Sequence, residues 1–476
     1  MQQNLIATNV GNLLFSNAVH KMLSTSDAEI QVNGPRLNGD PDDADRINAE
    51  YDLFVVPLAN AFRHDFRKHL VTLTELIERL KIPVVVFGVG AQSSVDYDLD
   101  EMRSLDELVT RFARAVLDRS ASIGVRGEFT ERYLSRLGFT DVEVIGCPSM
   151  FFHGESFQIA KKVPELTSDS AIAVSVSRWV DGIGDIVMTN YERYPGLTYF
   201  AQELRDLQAM YWGDTSAVAN THDEVPVHLS HPLFQERKAR MHVEPHTWMG
   251  GLAEHDFAFG TRIHGNIAAL LAGTPAMVLC HDSRTLELSR YFGIPHRAIA
   301  DTPRDVDVAR LYDEADFSDL VKGYPERFDR LVSFMEKNSL RHVFASGEDG
   351  GAGFDARMAR VDFAAPVTAW EGDDDGGLGY RIGWLKEAHA SQARRVAELR
   401  SRLDKEAGKL REELAASRER TERLERALRR VEREQRLGFG RRVRRGLARR
   451  ARRLVRWRGG RDASSAAPAR RAGGAS

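Results

Sequence analysis

From about residue 50 to residue 340 the chain repeats one pattern. A short, nearly unbroken apolar run is followed by a longer stretch with apolar positions three and four apart. Tyr51-Asp-Leu-Phe-Val-Val-Pro57, Ile82-Pro-Val-Val-Val-Phe-Gly88, Ala121-Ser-Ile-Gly-Val125 and Asp141-Val-Glu-Val-Ile145 predict strands. Residues 66–80, 105–119 and 128–137 predict helices between and after them. Strands buried on both faces read as continuous apolar runs, so the pattern predicts a parallel sheet covered by helices. A second series opens at Ala171-Ile-Ala-Val-Ser-Val176. It continues with a strand at 257–259, a helix at 266–272 closed by Gly273-Thr-Pro275, the strand Ala276-Met-Val-Leu-Cys280, and helices at 285–292 and 324–337. Residues 200–210 also have helical spacing, inside a stretch (181–254) with His- and Pro-rich loops. The two series divide the body into α/β units of residues 1–165 and 166–345.

The pattern then changes. Residues 346–385 are rich in Gly and Asp and predict a flexible linker. Over 386–437, Val396, Leu403, Leu410, Leu424 and Val431 fall on one heptad position, and Ala407, Leu414 and Leu428 on the other. That spacing predicts a coiled coil pairing two or more chains, weakened where Arg400, Ser417 and Thr421 interrupt the seam. Residues 438–476 form an arginine-rich tail whose single acid is Asp462. This tail is expected either as a largely disordered segment or as a helix on a membrane surface. In the second case its arginines meet anionic headgroups while Val443, Leu447, Leu454, Val455 and Trp457 dip below. Nucleic acid is the rival partner; the apolar residues favour the bilayer.

Composition narrows the class. The net charge of −3 averages an acidic body with a basic end, so the two are read separately. The 476 residues exceed one ordinary core, and 42 % hydrophobic content is enough for real cores. No apolar run reaches the ~20 residues of a spanning helix, and no secretory signal is visible at the start. Cys147 and Cys280 are the only cysteines, which argues against a disulfide framework and for a cytoplasmic setting.

Ligands of parallel α/β sheets bind where strands end and helices begin. Three such junctions stand out. Thr8-Asn-Val-Gly-Asn12 and Gly88-Val-Gly-Ala-Gln92 are small polar turns whose backbone N–H groups suit an anion, although tight strand exit accounts for their glycines equally well. Gly260-Thr-Arg-Ile-His-Gly265 sets Arg262 and His264 two apart. Arg presents a fork for phosphate or carboxylate, and His exchanges protons near neutral pH. A salt-bridged Arg beside a hydrogen-bonded core His is the other reading of that spacing.

The block from Gly260-Thr-Arg-Ile-His-Gly265 through Gly273-Thr-Pro275 to Leu279 resembles the signature of the polysaccharide pyruvyl transferase family. Asn9-Val-Gly-Asn12, Gly88-Val-Gly-Ala-Gln92, Val125-Arg-Gly-Glu128, Gly146-Cys-Pro148, Ser283-Arg-Thr-Leu-Glu287 and Tyr291-Phe-Gly-Ile-Pro295 follow the family's order. The resemblance covers roughly residues 1–340. It implies two Rossmann-like domains similar to the GT-B glycosyltransferase architecture. It also implies transfer of pyruvate from phosphoenolpyruvate to sugar hydroxyls of a glycan or lipid-linked acceptor, giving a ketal and phosphate. His264 would be the general acid that protonates the enol methylene. Arg262, Arg178 and Arg284 would bind the donor anion, with Asn9, Gly11, Asn12, Gly90, Gln92 and Gly265 lining the site. Neither metal nor cofactor is implied. Two places depart from the family: Gly11-Asn12 is followed by Leu13-Leu14 where Gly-Asp is common, and Cys147 stands where an Asp usually precedes the proline.

Other candidates are weaker. His242, Glu244 and His246 have metal-like spacing, but Pro245 is expected to break a helix there, and exposed loop residues are the plainer reading. Cys280 reads as core rather than nucleophile. Two other functions compete with pyruvyl transfer: a nucleotide-sugar glycosyltransferase of related fold, and a non-catalytic scaffold of a glycan-building complex.

Overall fold

The computed structural model describes residues 9–32, 41–215, 225–370 and 377–458. Thr8, residues 371–376 of the expected linker and residues 459–476 of the tail lie outside the described residues. Ten strands occur among them: β1 (Phe54–Pro57), β2 (Val84–Phe87), β3 (Ile123–Val125), β4 (Val142–Val144), β5 (Ile172–Val174), β6 (Leu197–Phe200), β7 (Ala239–Arg240), β8 (Phe257–Gly260), β9 (Ala276–Cys280) and β10 (His296–Ala298). Every ladder between them is parallel. In the first half β1 pairs with β2 and β3 with β4, and a bridge between Val89 and Val125 links the pairs. In the second half one six-stranded sheet runs β10-β9-β8-β5-β6-β7. Because β8 lies beside β5, the loops that leave their carboxyl ends meet at a switch in strand order, where open α/β sheets bind ligands.

The strands form where the apolar runs are β-branched. Val84, Val85, Val86 and Phe87 are all buried. Val84 and Val86 enter a core built from the first half, whereas Val85 and Phe87 enter the larger core that carries the six-stranded sheet. One strand thus serves two cores, as alternation across a pleat allows.

Two helices cross between the halves. Helix Gly11–Leu23 buries Leu14, Phe15, Ala18, Val19 and Met22 in the second core. Helix Ser318–Lys337 returns to the first half, where Phe334 meets Phe87 edge to face at 5.2 Å and Lys337 pairs with Glu143. Just beyond it, Asn338 Oδ1 accepts from the amides of Ala121 and Ser122. The described residues up to Arg381 accordingly form one compact unit that holds both cores. An amphipathic pattern says that a helix covers a sheet, not which sheet.

The structure corrects two further expectations. The segment at 200–210 is split: β6 ends at Phe200, and a helical turn starts only at Leu204. The expected flexible linker is docked over residues 346–370. Asp355 pairs with the buried Lys21 at 2.7 Å, Val367 exchanges backbone hydrogen bonds with Met241, and Trp370 N donates to Met210 O. Its glycines make turns, with φ of +66° at Gly350 and +91° at Gly351, rather than slack.

Helix Leu378–Arg458 is continuous over 81 residues. From Ile382 onward it belongs to a second compact unit. Its heptad residues Val396, Leu403, Leu410, Leu414, Leu424, Leu428 and Val431 are exposed along the single chain. No helix among the described residues is long and apolar enough to cross a membrane.

Candidate active site

The site is built on the turn after β8. Gly260 has φ +141°, and a Cβ there would lie 2.1 Å from Ser175 O, so only glycine lets the end of β8 press onto β5. Ser177 N then donates to Thr261 Oγ1, and Asn266 Nδ2 donates to the carbonyls of Gly260 and Arg262. These bonds fix Arg262 at the N-cap of helix Ile263–Leu271 and His264 in its first turn. Gly265 removes a clash as well: a Cβ would sit 2.5 Å from Gln202 Nε2.

His264 is half-buried. Its Nε2 lies 3.5 Å from Cys147 Sγ, and its ring packs 5.7 Å from that of Phe15. Gly11 permits this approach, since a Cβ there would fall 2.9 Å from His264 Cβ. Burial drives the imidazole pKa well below its usual value, and the nearby charges of Arg126, Arg284 and Arg262 push it the same way. The ring is therefore neutral at neutral pH while no anion shares the site.

The surrounding arginines fall into two groups. Arg262 and Arg178 are already paired. Arg262 donates through Nη2 to Glu203 and through Nε to Val176 O; Arg178 binds Glu203 and Asp206 at 3.3 and 3.0 Å. Two guanidinium groups meet two carboxylates, so this patch holds little free charge. Arg178 and Arg262, expected to carry the donor anion, thus bind acids on the 203–206 turn through these nitrogens, while Arg178 Nη1 is buried without an acceptor among the described residues.

Arg126, Arg284 and Arg63 form the second group. Arg126 follows β3 and is fully buried. It donates from Nε to Gly88 O, while its Nη1 and Nη2 find no acceptor among the described residues. Arg284 pairs with Asp282 at 3.1 Å but leaves Nε without an acceptor, and Arg63 Nε has none either. Burial, joined by repulsion from neighbouring arginines (Arg284 and Arg126 on Arg63, Arg284 on Arg126, Arg262 on Arg284), holds all three guanidinium pKa values down. One acid acting on Arg126 offers little relief. Glu287 is buried, accepts from Thr130, and is raised to about 7 by desolvation. Buried donors without acceptors are costly and rare, and here two of the three arginines act on a histidine. Together they make an anion site.

The two glycine turns act differently from expectation. Their amides face inward: Val89, Gly90, Ala91 and Gln92 donate to Gly124 O, Ala59 O, Thr130 Oγ1 and Phe62 O. Gly11 N and Asn12 N are taken by the side chain and carbonyl of Asn9. Gly90 instead seats Arg126, because a Cβ would meet Arg126 Cδ at 2.8 Å. Gln92 accepts from Asn60 and donates to Asp282 at 3.4 Å, and Ser93 N donates to Ser283 Oγ. Those contacts fasten the Arg284 turn to the first half. The turns position the site rather than line it with donors.

The metal-like triad resolves into structure. Pro245 starts helix Pro245–Ala253, and Glu244 caps it by accepting from the amides of His246 and Thr247. His242 is buried, stacked on Phe200 at 5.8 Å and bonded to Thr247. Cys280 is buried with its thiol pushed up to about 12, which leaves no thiolate for attack.

Sequence reasoning missed four residues here: Arg126, Arg63, Glu203 and Trp179, whose ring lies 4.8 Å from the Arg262 guanidinium. Arg126 stood inside a quoted motif, and an arginine directly after an apolar strand was the available signal. Arg63 and Glu203 reach the site through tertiary folding alone.

Comparison with curated proteins finds no match. Three solved structures are similar at low level. The UDP-GlcNAc 2-epimerase of Methanocaldococcus jannaschii is 12 % identical, with 67 % of this chain and 79 % of that one covered and a TM-score of 0.33. The UDP-GlcNAc 2-epimerase of Neisseria meningitidis is 12 % identical, with 70 % and 84 % covered and a TM-score of 0.29. The glycotransferase of kitacinnamycin is 13 % identical, with 67 % and 79 % covered and a TM-score of 0.30. At these scores the likeness carries no argument about architecture or substrate. The family model for polysaccharide pyruvyl transferase, by contrast, matches residues 9–283, a span that holds every element of the site from Asn9 to Ser283 and stops one residue short of Arg284. On that match this chain belongs to the polysaccharide pyruvyl transferase family.

Proposed function

We propose that this transferase moves the pyruvyl group of phosphoenolpyruvate onto two hydroxyls of a sugar in a cell-envelope or exopolysaccharide glycan, closing a ketal and releasing phosphate. The observation that carries the reading is the set of buried guanidinium N–H groups without acceptors on Arg126 and Arg284, whose charges act on His264, with Arg63 beside them. Phosphoenolpyruvate brings a phosphate and a carboxylate, two planar or tripodal anions that suit such forks.

The chemistry follows from the charges. Burial holds His264 neutral and the arginines add to it; bound donor offsets the arginine part, so the anion raises the imidazole pKa and favours the loaded acid. The imidazolium gives its proton to C3 of the enol, and positive charge develops at C2. One sugar hydroxyl adds to C2, the C2–O bond to phosphate breaks, and the second hydroxyl closes the ring. The methylene gains one proton, the two hydroxyls lose two, and hydrogen phosphate carries off the remaining one. Arg126 and Arg284 hold the phosphate through the step, which is electrostatic stabilisation by preset donors.

The end of the long helix supports a place at an anionic bilayer. Val443, Leu447 and Ala451 recur at four-residue intervals on one face, while Arg441, Arg445, Arg449 and Arg452 follow another. Each basic residue near such a surface is worth about 1 kcal/mol. The exposed heptad leucines upstream support pairing with a second copy of the chain.

The test is release of inorganic phosphate from phosphoenolpyruvate in the presence of a glycan panel, run beside nucleotide release from nucleotide-sugars. Phosphate release that depends on acceptor is expected. Nucleotide release without it would assign the chain to glycosyl transfer instead.

A further inference from the structure

We propose that Trp179 is the stacking platform for the acceptor, taking the apolar face of a pyranose ring beside the anion site. This rests on the reading above for the word acceptor, but not for the existence of a sugar subsite.

Trp179 is 57 % exposed, between Arg178 at 3 % and Val180 at 7 %. Its turn is not loose: Ser177 N donates to Thr261 Oγ1 at 2.6 Å and Val180 N to Ser177 O at 3.1 Å. The ring is held as well. The Arg262 guanidinium lies 4.8 Å from its centroid, and that guanidinium is itself fixed by Glu203 and Val176 O. The indole thus stacks on Arg262, two positions before His264 in the chain, with more than half of its surface open. Single exposed apolar residues are common and need no explanation. A large, rigid one clamped to the residue that caps the His264 helix is different.

Its surroundings match what a sugar requires. A pyranose offers a flat patch of C–H groups to an aromatic face and a rim of hydroxyls to charged groups. On the same loop Asp181 and, one helical turn on, Asp185 are bridged by Arg304 at 2.7 and 3.0 Å, all exposed. Glu203 joins Arg262, which stacks on the ring, to Arg178. Arg262 thus holds the ring, acids follow it closely along the chain at Asp181 and Asp185, and the charges of Arg126 and Arg284 act on His264.

The experiment separates the two claims. Methyl hexosides and methyl N-acetylhexosaminides are titrated into the full chain without donor, and tryptophan emission is followed in wild type and Trp179→Phe. A saturable change with at least one glycoside, absent in Trp179→Phe, is expected. In turnover with that glycoside, Trp179→Ala should raise acceptor KM about tenfold with kcat and phosphoenolpyruvate affinity near wild type, as loss of uniform binding predicts. Trp179→Phe should restore most of it. Equal emission changes in both proteins, no change with any glycoside, or an acceptor KM in Trp179→Ala within about twofold of wild type would overturn the subsite. Glycoside binding at Trp179 without phosphate release from phosphoenolpyruvate would instead sink the pyruvyl reading and leave the subsite standing.

Discussion

His264 and Arg126 together set the pH behaviour. Burial and three arginines hold the imidazole low, so the free enzyme carries a weakly populated acid. The pH profile of kcat/KM reports the free enzyme and that of kcat the loaded one. The account predicts that kcat/KM for phosphoenolpyruvate declines as pH rises through a value below 6.5, whereas kcat holds to higher pH. Steady-state rates across pH check this, and coincident limbs would contradict donor-assisted protonation. Arg126→Lys keeps the charge but loses the two N–H groups without acceptors. Charge-assisted hydrogen bonds are worth about 1.5–3 kcal/mol, so donor affinity should drop about 10–100-fold by calorimetry. Arg178→Lys, whose partners are Glu203 and Asp206, should cost stability and leave donor affinity within about threefold. The opposite ranking would return the anion to Arg178. The Arg-Ile-His turn was legible in sequence because strand, turn and helix lie consecutively there. Arg126 was less so: its role depends on which of many arginines folding strips of partners.

At the scale of elements, glycines do separate jobs that share one letter. Gly260 admits no Cβ because Ser175 O, a backbone atom, would be 2.1 Å away at a φ of +141°. Gly260→Ala should destabilise by about 3 kcal/mol or more in urea unfolding. Gly90 faces the flexible Arg126 side chain, so Gly90→Ala should keep the fold and shift Arg126, lowering donor affinity about tenfold. Equal stability loss in both variants would contradict this division. The strands of both halves could be read from their β-branched runs, and observed strands fall inside the predicted ones at Val84–Phe87 and Ala276–Cys280. The two-residue strand Ala239–Arg240 and the split at Phe200 could not, because such short runs gain their strand character from the neighbouring strand.

For the whole molecule, the body is one unit and the long helix another. Sequence placed the change of regime near residue 346, where composition turns to Gly and Asp. The structure moves it to about 382, since residues 346–370 find specific docking partners that composition does not reveal. Arg381 belongs to the body, its guanidinium 4.8 Å from the Trp370 ring. Removal of residues 382–476 should therefore spare the fold and activity on soluble acceptor while lowering the oligomer number by light scattering. Removal of residues 436–476 alone should keep the oligomer and abolish co-sedimentation with anionic vesicles. Undiminished sedimentation of that form would show that the basic end does not bind the bilayer.

The central claim is that His264 delivers a proton to C3 of phosphoenolpyruvate while arginines hold the anion. The most direct measurement is turnover in deuterated water, with the pyruvylated glycan analysed by mass spectrometry. The account predicts one solvent deuterium in the ketal methyl group for wild type and turnover reduced about 10²–10⁴-fold in a folded His264→Ala. A ketal methyl without solvent deuterium, or near-normal turnover in that variant, would contradict it.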